Sequence, residues 1–215
     1  SATGVYVGTA YNDYGTGMFN SGQDVEGYVV TGNSGSVVSG RIAYTFGFEG
    51  PALTVDTGAN NVTWSTAVYG AFNLTKKGTG ELVLSGANTF TGNVYLNGGT
   101  LTVSTNANLG ATPANATANN LNFSGGTLKT TADLSLDAKR GVVTSGNGAT
   151  FAPTSSTLTL AGPVSGSGSL TLTGTSNGKL VLGSANTYAG PTTVTNGTLV
   201  LNDPASLGTS GTLTV

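Results

Sequence analysis

Apolar and polar residues alternate along most of the chain. From about residue 53 onward, short runs such as Leu82-Val-Leu84 and Leu180-Val-Leu182 recur, each flanked by Gly, Asn, Ser or Pro. An alternation with a period of two predicts β-strands that bury one face, and the flanking residues are typical of turns. Because Thr, Gly, Ser, Asn and Val are poor helix formers, the pattern predicts an all-β protein.

The spacing of these runs favours one kind of β-fold. They recur at intervals of roughly 10 to 20 residues, a distance typical of stacked repeats. No sequence feature forces the chain to reverse at each turn, as the hairpins of a β-sandwich require. We therefore predict a right-handed parallel β-helix, or β-solenoid, in which each coil pairs with the coils above and below it. A β-sandwich or jelly roll is the alternative.

Two stretches of the chain nearly repeat each other. At an offset of 98 residues, residues 82–110 align with residues 180–208 without a gap, and 13 of the 29 positions are identical. The identities fall on strand and turn positions, which indicates that the repeat preserves a coil geometry. The two copies extend over about 74–110 and 172–208. The predicted structural residues are Leu82, Leu84, Asn88, Phe90, Gly92, Gly99, Leu101 and Val103 in the first copy, and Leu180, Leu182, Asn186, Tyr188, Gly190, Gly197, Leu199 and Leu201 in the second.

The repeat carries a long motif. In the first copy it reads Gly80-Glu-Leu-Val-Leu-Ser-Gly-Ala-Asn-Thr-Phe-Thr-Gly92, then Gly99-Thr-Leu-Thr-Val103 and Ala107-Asn-Leu-Gly110. This string resembles the autotransporter-associated β-strand repeat, also called the passenger-associated transport repeat, and the resemblance covers roughly residues 53–215. It implies a parallel β-helix on a secreted or surface-exposed bacterial protein. In that family the repeat serves as a stalk and as an aid to outward transport, not as a catalyst.

Two kinds of residue in the repeat have both a functional and a structural interpretation. Asn88 and Asn186 follow an alanine in a turn. They could contact a ligand, but an internal asparagine ladder, or an amide that satisfies the turn's backbone, is favoured because Asn commonly does the latter. Phe90 and Tyr188 are similarly predicted to be stacked aromatic residues of the core rather than contact surfaces for sugars.

The first fifty residues differ from the rest. They hold eight of the 16 aromatic residues and lack the repeat motif, although the alternation persists. We predict that residues 1–52 form an aromatic-rich β cap or an assembly segment that joins subunits, because the end of a solenoid exposes strand groups that must be covered. Residues 53–215 are predicted to form the solenoid. Tyr11, Tyr14 and Tyr28 are the candidate partner contacts, with a glycan as the candidate ligand.

Composition narrows the chemistry. The 215 residues include no Cys and no His, so thiolate chemistry, Ser–His–Asp triads and His-ligated zinc are impossible within them. Only 7% of the residues are charged and the net charge is −2, so the sequence shows no basic patch of the kind that binds nucleic acid. The basic pairs Lys76-Lys77 and Lys139-Arg140 are predicted to be solvated turn charges. No run of 18 apolar residues occurs, so no membrane-spanning helix is expected. We predict no cofactor and no metal.

Carboxylates are the remaining candidates for catalysis. A polysaccharide-degrading enzyme would need two of them on one surface at a defined separation. The close pairs are Asp24 with Glu26 and Asp133 with Asp137. The first pair is predicted to lie on a solvated strand face or turn, and Asp133 and Asp137 to lie in turns on either side of a Leu-x-Leu strand. The acidic residues therefore give an enzyme little support.

We accordingly expect a non-enzymatic, extracellular structural protein of a bacterium. It would be a β-solenoid stalk or a self-assembling surface or filament subunit, with adhesion as a related role. Its expected partners are further copies of itself, or a host or matrix surface. A carbohydrate-binding surface module is the alternative, and a polysaccharide-degrading β-helix enzyme is the less favoured one.

Overall fold

The protein is a parallel β-solenoid, which confirms the predicted all-β class. A computed structural model describes residues 53–209 and 211–215 in full, and residues 6–8 and 52 by their backbone alone. The strands of these residues stack into about seven turns. The only helix in this part of the chain is a 3-10 turn, Asn106–Leu109. The strands are β1 (Tyr6–Gly8), β2 (Ala52–Asp56), β3 (Val62–Trp64), β4 (Asn73–Lys77), β5 (Glu81–Leu84), β6 (Val94–Leu96), β7 (Thr100–Val103), β8 (Thr117–Phe123), β9 (Thr127–Thr130), β10 (Leu134–Leu136), β11 (Arg140–Thr144), β12 (Ala149–Pro153), β13 (Thr157–Leu160), β14 (Val164–Gly166), β15 (Leu170–Thr173), β16 (Lys179–Leu182), β17 (Thr192–Asn196), β18 (Thr198–Leu201) and β19 (Leu213–Thr214).

Three parallel sheets form the sides of the solenoid. Sheet A has the order β1-β2-β4-β6-β8-β11-β14, sheet B has the order β3-β5-β7-β9-β12-β15-β17-β19, and sheet C has the order β10-β13-β16-β18. Every pairing among the described strands is parallel, so the chain turns in one sense at each corner and no hairpin forms.

Columns of apolar side chains fill the interior. Because side chains alternate along each strand, one residue in two points inward and stacks on its partner in the next coil. Burying each Leu, Val or Phe in this way contributes about 1.5–3 kcal/mol relative to leaving it exposed. The inward column of sheet A is Leu53, Leu74, Val94, Leu121, Val142 and Val164. The inward column of sheet B includes Val62, Leu82, Leu101, Leu128, Phe151 and Leu172.

Equivalent strands of the two copies lie in different sheets of the solenoid. The first copy supplies β4, β5, β6 and β7, which belong alternately to sheets A and B. The second copy supplies β15, β16, β17 and β18, which belong alternately to sheets B and C. Between them, β8 to β14 visit all three sheets in turn, so the second copy begins one sheet further round the axis than the first.

The N-terminal end of sheet A carries one strand from outside the predicted solenoid. β1 pairs in parallel with β2, with Tyr6 opposite Thr54 and Gly8 opposite Asp56. Most of the predicted cap, including Tyr11, Tyr14, Tyr28, Asp24 and Glu26, lies outside the described residues. The boundary at residue 52 and the capping role therefore remain predictions. In the described part of the chain, no helix is long and apolar enough to cross a lipid bilayer.

Candidate functional site: the polar interior of the repeat

Asn88 bridges three successive coils from inside the solenoid. Its side chain is only 3% exposed. The Oδ1 atom accepts a hydrogen bond from the Val68 amide at 2.8 Å, and the Nδ2 atom donates to the Asn108 carbonyl at 2.5 Å, each partner 20 residues away. The side-chain amide thus pairs with the coil before it and the coil after it, as a backbone peptide in a sheet does.

Asn186 repeats this arrangement in the second copy. Its Oδ1 atom accepts a hydrogen bond from the Val164 amide at 2.7 Å, and its Nδ2 atom donates to the Ser206 carbonyl at 2.7 Å. Val164 begins β14, the last strand of sheet A. The asparagine therefore satisfies a backbone amide at the point where the sheet gives way to an irregular segment.

In the coil that follows each bridging asparagine, the equivalent buried position is polar in both copies but not identical: it is Asn108 in the first copy and Ser206 in the second. Asn108 donates through Nδ2 to the Gly86 carbonyl at 2.9 Å, while Ser206 donates through Oγ to the Leu182 carbonyl at 3.2 Å. Both side chains are buried and both hold the turn that follows the strand pair. Sequence comparison of the copies missed this pair, because identity was the signal and the two residues share only hydrogen-bonding capacity.

The aromatic residues of the repeat lie in the core. Phe90 is 1% exposed and stacks on Phe72, with ring centroids 5.5 Å apart and an angle of 21° between the planes. Tyr188 is fully buried, and its hydroxyl forms a hydrogen bond with the Thr192 hydroxyl. Burial raises the pKa of Tyr188, and the hydrogen bond with Thr192 opposes that shift. Neither ring is available to a sugar at the surface.

Glycines of the motif stand where the coils approach each other closely. Gly99 and Gly197 occupy equivalent corners with φ of 61° and 102°, values that side-chain-bearing residues rarely adopt. A Cβ atom on Gly99 would also collide with the Gly80 carbonyl of the preceding coil. At Gly92 and Gly190, where φ is not positive, the obstacle is space: a Cβ would meet the backbone of Phe72 and Gly168.

Most apolar residues of the motif are buried, and the last coil is the exception. Leu82, Leu84, Leu101, Val103, Leu180 and Leu182 are at most 1% exposed. Leu199 is half-buried and packs against the core, whereas Leu201 is 42% exposed. The reason is that β18 is the last strand of sheet C, and no further coil covers it among the described residues.

Lys76 is buried, contrary to the prediction of a solvated turn charge. It points inward between Val55 and Leu96 of the neighbouring strands. Its Nζ atom donates to the carbonyls of Lys77 at 2.7 Å, Gly78 at 3.0 Å and Gly98 at 3.3 Å. Burial lowers the pKa of Lys76, and the Asp56 carboxylate partly offsets the shift. Lys77, the other member of the pair, is exposed as predicted.

Arg140 is the second buried cation and a second correction. It is 1% exposed, and its guanidinium caps the end of the 3-10 turn by donating to the carbonyls of Leu109 at 3.3 Å and Gly110 at 2.6 Å. It also donates to Asn106 Oδ1 at 3.0 Å and Asn120 Oδ1 at 2.6 Å. Burial lowers the pKa of Arg140, and the Asp137 carboxylate opposes this. Five donors in a fixed plane suit such a cluster of acceptors.

The acidic residues of the described part form no catalytic pair. Asp133 and Asp137 flank β10 in turns, as predicted, and their side chains accept backbone hydrogen bonds from Thr157 and Lys139. Glu81 lies on the outer face of sheet B, where it accepts hydrogen bonds from Thr102 and Lys129 that lower its pKa. In this part of the chain no three potential ligands converge to hold a metal ion.

Comparisons with known proteins give two unlike matches, each over less than half of the chain. The passenger-associated transport repeat matches residues 175–201, which cover β16, β17 and β18. The N-terminal domain of β-ketoacyl synthase matches residues 1–94. The aromatic content of residues 1–52 and their lack of the repeat did not predict the second match.

Polyketide synthases are among the curated relatives that match part of this chain. They include polyketide synthase GfsB of Streptomyces halstedii, 49% identical over 89 residues, and pikromycin polyketide synthase component PikAII of Streptomyces venezuelae, 44% identical over 86 residues. These regions are 41% and 40% of the chain but only 2% of each relative. No solved structure matches the chain. Residues 52–94 of the synthase match form strands β2 to β5 of the solenoid and the first residue of β6.

Proposed function

We propose that this protein is a non-enzymatic structural element of a bacterial surface, a β-solenoid that serves as a stalk or as a self-assembling subunit. The observation that carries the proposal is the continuous stack of parallel coils, tied together inside by Asn88 and Asn186. Among the described residues, this stack leaves only Trp64 Nε1 and Ser184 Oγ as buried side-chain atoms without a hydrogen-bond partner. The match of residues 175–201 to a passenger-associated transport repeat supports an extracellular location.

The match to β-ketoacyl synthase does not lead us to propose acyl transfer. The matched segment has neither a cysteine for thiolate attack nor a histidine for proton transfer, because the whole chain contains none. From residue 52 onward the matched segment also forms coils of the solenoid, and Leu53, Leu74 and Val94 lie in its core. We therefore assign residues 52–94 to the structural role of the solenoid.

Negative-stain electron microscopy of the purified chain tests the proposal. Isolated rods are expected for a stalk, and long ordered fibres for a self-assembling subunit. Compact round particles would contradict both forms of the proposal. Limited proteolysis of the same sample provides a control, because a stack of paired coils should resist cleavage between residues 53 and 209.

A further inference from the structure

The end of the second repeat presents carbonyl groups that correspond to those capped by Arg140 in the first. With the offset of 98 residues, Asn106, Leu109 and Gly110 correspond to Pro204, Leu207 and Gly208. In the first copy the guanidinium donates to all three carbonyls, at 3.5, 3.3 and 2.6 Å. One arginine thereby donates hydrogen bonds to the three carbonyl groups at this turn.

Several hydrogen bonds that hold this turn correspond in the two copies, although only the first copy forms a 3-10 helix here. The amide after each glycine donates to the carbonyl of the buried aromatic residue, from Ala111 to Phe90 and from Thr209 to Tyr188, each at 2.9 Å. Asn88 and Asn186 donate to equivalent carbonyls as well. The second copy therefore ties its turn to the preceding coil through the same positions as the first copy, which receives the guanidinium.

The acceptors of the second copy have no such donor. Among the described residues, no hydrogen bond reaches the carbonyl of Pro204, Leu207 or Gly208. The two turns also differ in solvent exposure, since Leu109 and Gly110 are buried, whereas Leu207 and Gly208 are half-buried. The chain has one other arginine, Arg41, which lies outside the described residues.

A carboxylate gives the site a charge that complements a guanidinium. Asp203 stands next to Pro204, and one of its oxygens, Oδ1, accepts the Ala205 amide at 2.8 Å. In the first copy Thr105 holds the equivalent position and the nearby charge comes from Asp137. Hydrogen bonds between ionised partners are roughly twice as strong as those between neutral groups, so a carboxylate beside the carbonyls favours a cation.

We propose that the turn of residues 203–209 is a binding site for a guanidinium group, carried by an arginine of a further polypeptide segment packed on this end of the solenoid. The segment would repeat what β11 does within the chain, with a planar donor group directed at three carbonyls and one carboxylate. This inference does not depend on where the protein is located or on whether it forms fibres.

The test uses the full chain and follows its backbone resonances by NMR. One probe is the capped peptide LDAKRGVV, residues 136–143, with the same peptide carrying Arg140→Gln as its control. The other is ethylguanidinium, with ethylammonium as a control of equal charge and similar size. We expect saturable shifts at residues 203–209 with the arginine peptide and with ethylguanidinium, and none at residues 105–110, where Arg140 already occupies the acceptors.

The chain variant Asp203→Asn should bind both probes severalfold more weakly, because it keeps the side-chain shape and loses the charge. The proposal is overturned if residues 203–209 show no saturable shift. It is also overturned if the arginine and glutamine peptides bind alike, if ethylammonium binds as well as ethylguanidinium, or if Asp203→Asn leaves the affinity unchanged.

Discussion

Polar side chains inside this solenoid act as parts of the backbone. A buried polar group without a partner costs about 1–3 kcal/mol, so an interior that carries amides, hydroxyls and two cations must pair nearly all of them. In the described residues, only Trp64 Nε1 and Ser184 Oγ are buried without a hydrogen-bond partner. Ser184 takes the place of Gly86 in the repeat, and its added hydroxyl meets a site that has no partner for it.

Replacement of the bridging asparagines should be costly. Asn88→Ala removes both hydrogen bonds of the side chain and leaves the Val68 amide and the Asn108 carbonyl unpaired inside the protein. We expect a loss of about 3 kcal/mol in the free energy of unfolding, measured by urea denaturation. Asn186→Ala should have a similar effect, whereas the exposed Asn177→Ala should change stability little. Equal stability of Asn88→Ala and Asn177→Ala would contradict the bridging role.

Tyr188 and Thr192 form a polar pair that the first copy replaces with Phe90 and Val94. Tyr188→Phe should cost about 1 kcal/mol, because it leaves the buried Thr192 hydroxyl without its partner. The double variant Tyr188→Phe, Thr192→Val copies the apolar pair and should recover most of that loss. A double-mutant cycle from urea unfolding measures the coupling. Strictly additive effects of the two changes would show that the hydroxyls do not stabilise each other.

Lys76 should make the free energy of unfolding depend on pH in the alkaline range. Its pKa is lowered in the folded protein from the ordinary 10.5, so the unfolded chain binds its proton more tightly. Folding is therefore favoured as the pH rises through the lowered pKa, and this contribution is complete above pH 10.5 and lost as the pH falls. The stability difference between the native chain and Lys76→Met should shift in favour of the native chain on going from pH 7 to pH 10.5. The exposed Lys77→Met provides the control, and a pH-independent difference for Lys76→Met would contradict the expectation.

At the scale of the strand, position in the stack matters as much as sequence. β7 and β18 read Thr-Leu-Thr-Val and Thr-Leu-Val-Leu, yet the inward residues of β7 are covered on both sides and those of β18 on one side. A strand of the repeat cannot bury its apolar face alone, since a neighbouring coil must supply the other half of the contact.

The same substitution should therefore have unequal effects in the two copies. Leu101→Ala removes a fully buried side chain and should cost about 3 kcal/mol. Leu199→Ala removes a half-buried one and should cost about 1 kcal/mol, because part of its surface already meets solvent. Thermal or urea unfolding of the two variants checks the ordering. If Leu199→Ala were the more damaging change, something would have to cover β18 in solution.

Period-two alternation predicted the strands, because the core requires an inward apolar residue at every second position, and the spacing of the apolar runs predicted the solenoid. The repeat predicted an interior place for Asn88 and Phe90, since an asparagine in a turn commonly satisfies the backbone and the aromatic residues suit a stacked core. The sequence pattern did not predict the burial of Lys76 and Arg140, because several of the carbonyls that accept hydrogen bonds from these cations come from turns far away in sequence. Charge alone indicates a solvated side chain, and only the coil geometry brings such acceptors together.

For the whole molecule, stability should vary along the stack. In repeat structures each coil contacts only its neighbours, so its stability depends on how many neighbours it has. Amides paired in β9 and β12, which lie between other strands of sheet B, should exchange with deuterium more slowly than those of β18 and β19 at the end. Hydrogen exchange measured by mass spectrometry checks this gradient, and uniform protection from β2 to β19 would contradict it.

Because equivalent strands of the two copies lie in different sheets, equivalent outward residues point in different directions around the solenoid axis. A receptor or antibody that recognised outward residues of the motif would meet its two epitopes on different sides of the rod, so one flat partner could not engage both. The segment between the copies controls this difference in direction. Insertion or deletion of one strand with its corner between β8 and β14 would rotate the second epitope relative to the first without altering a residue in either. Internal repetition here provides two directions of presentation rather than a linear array.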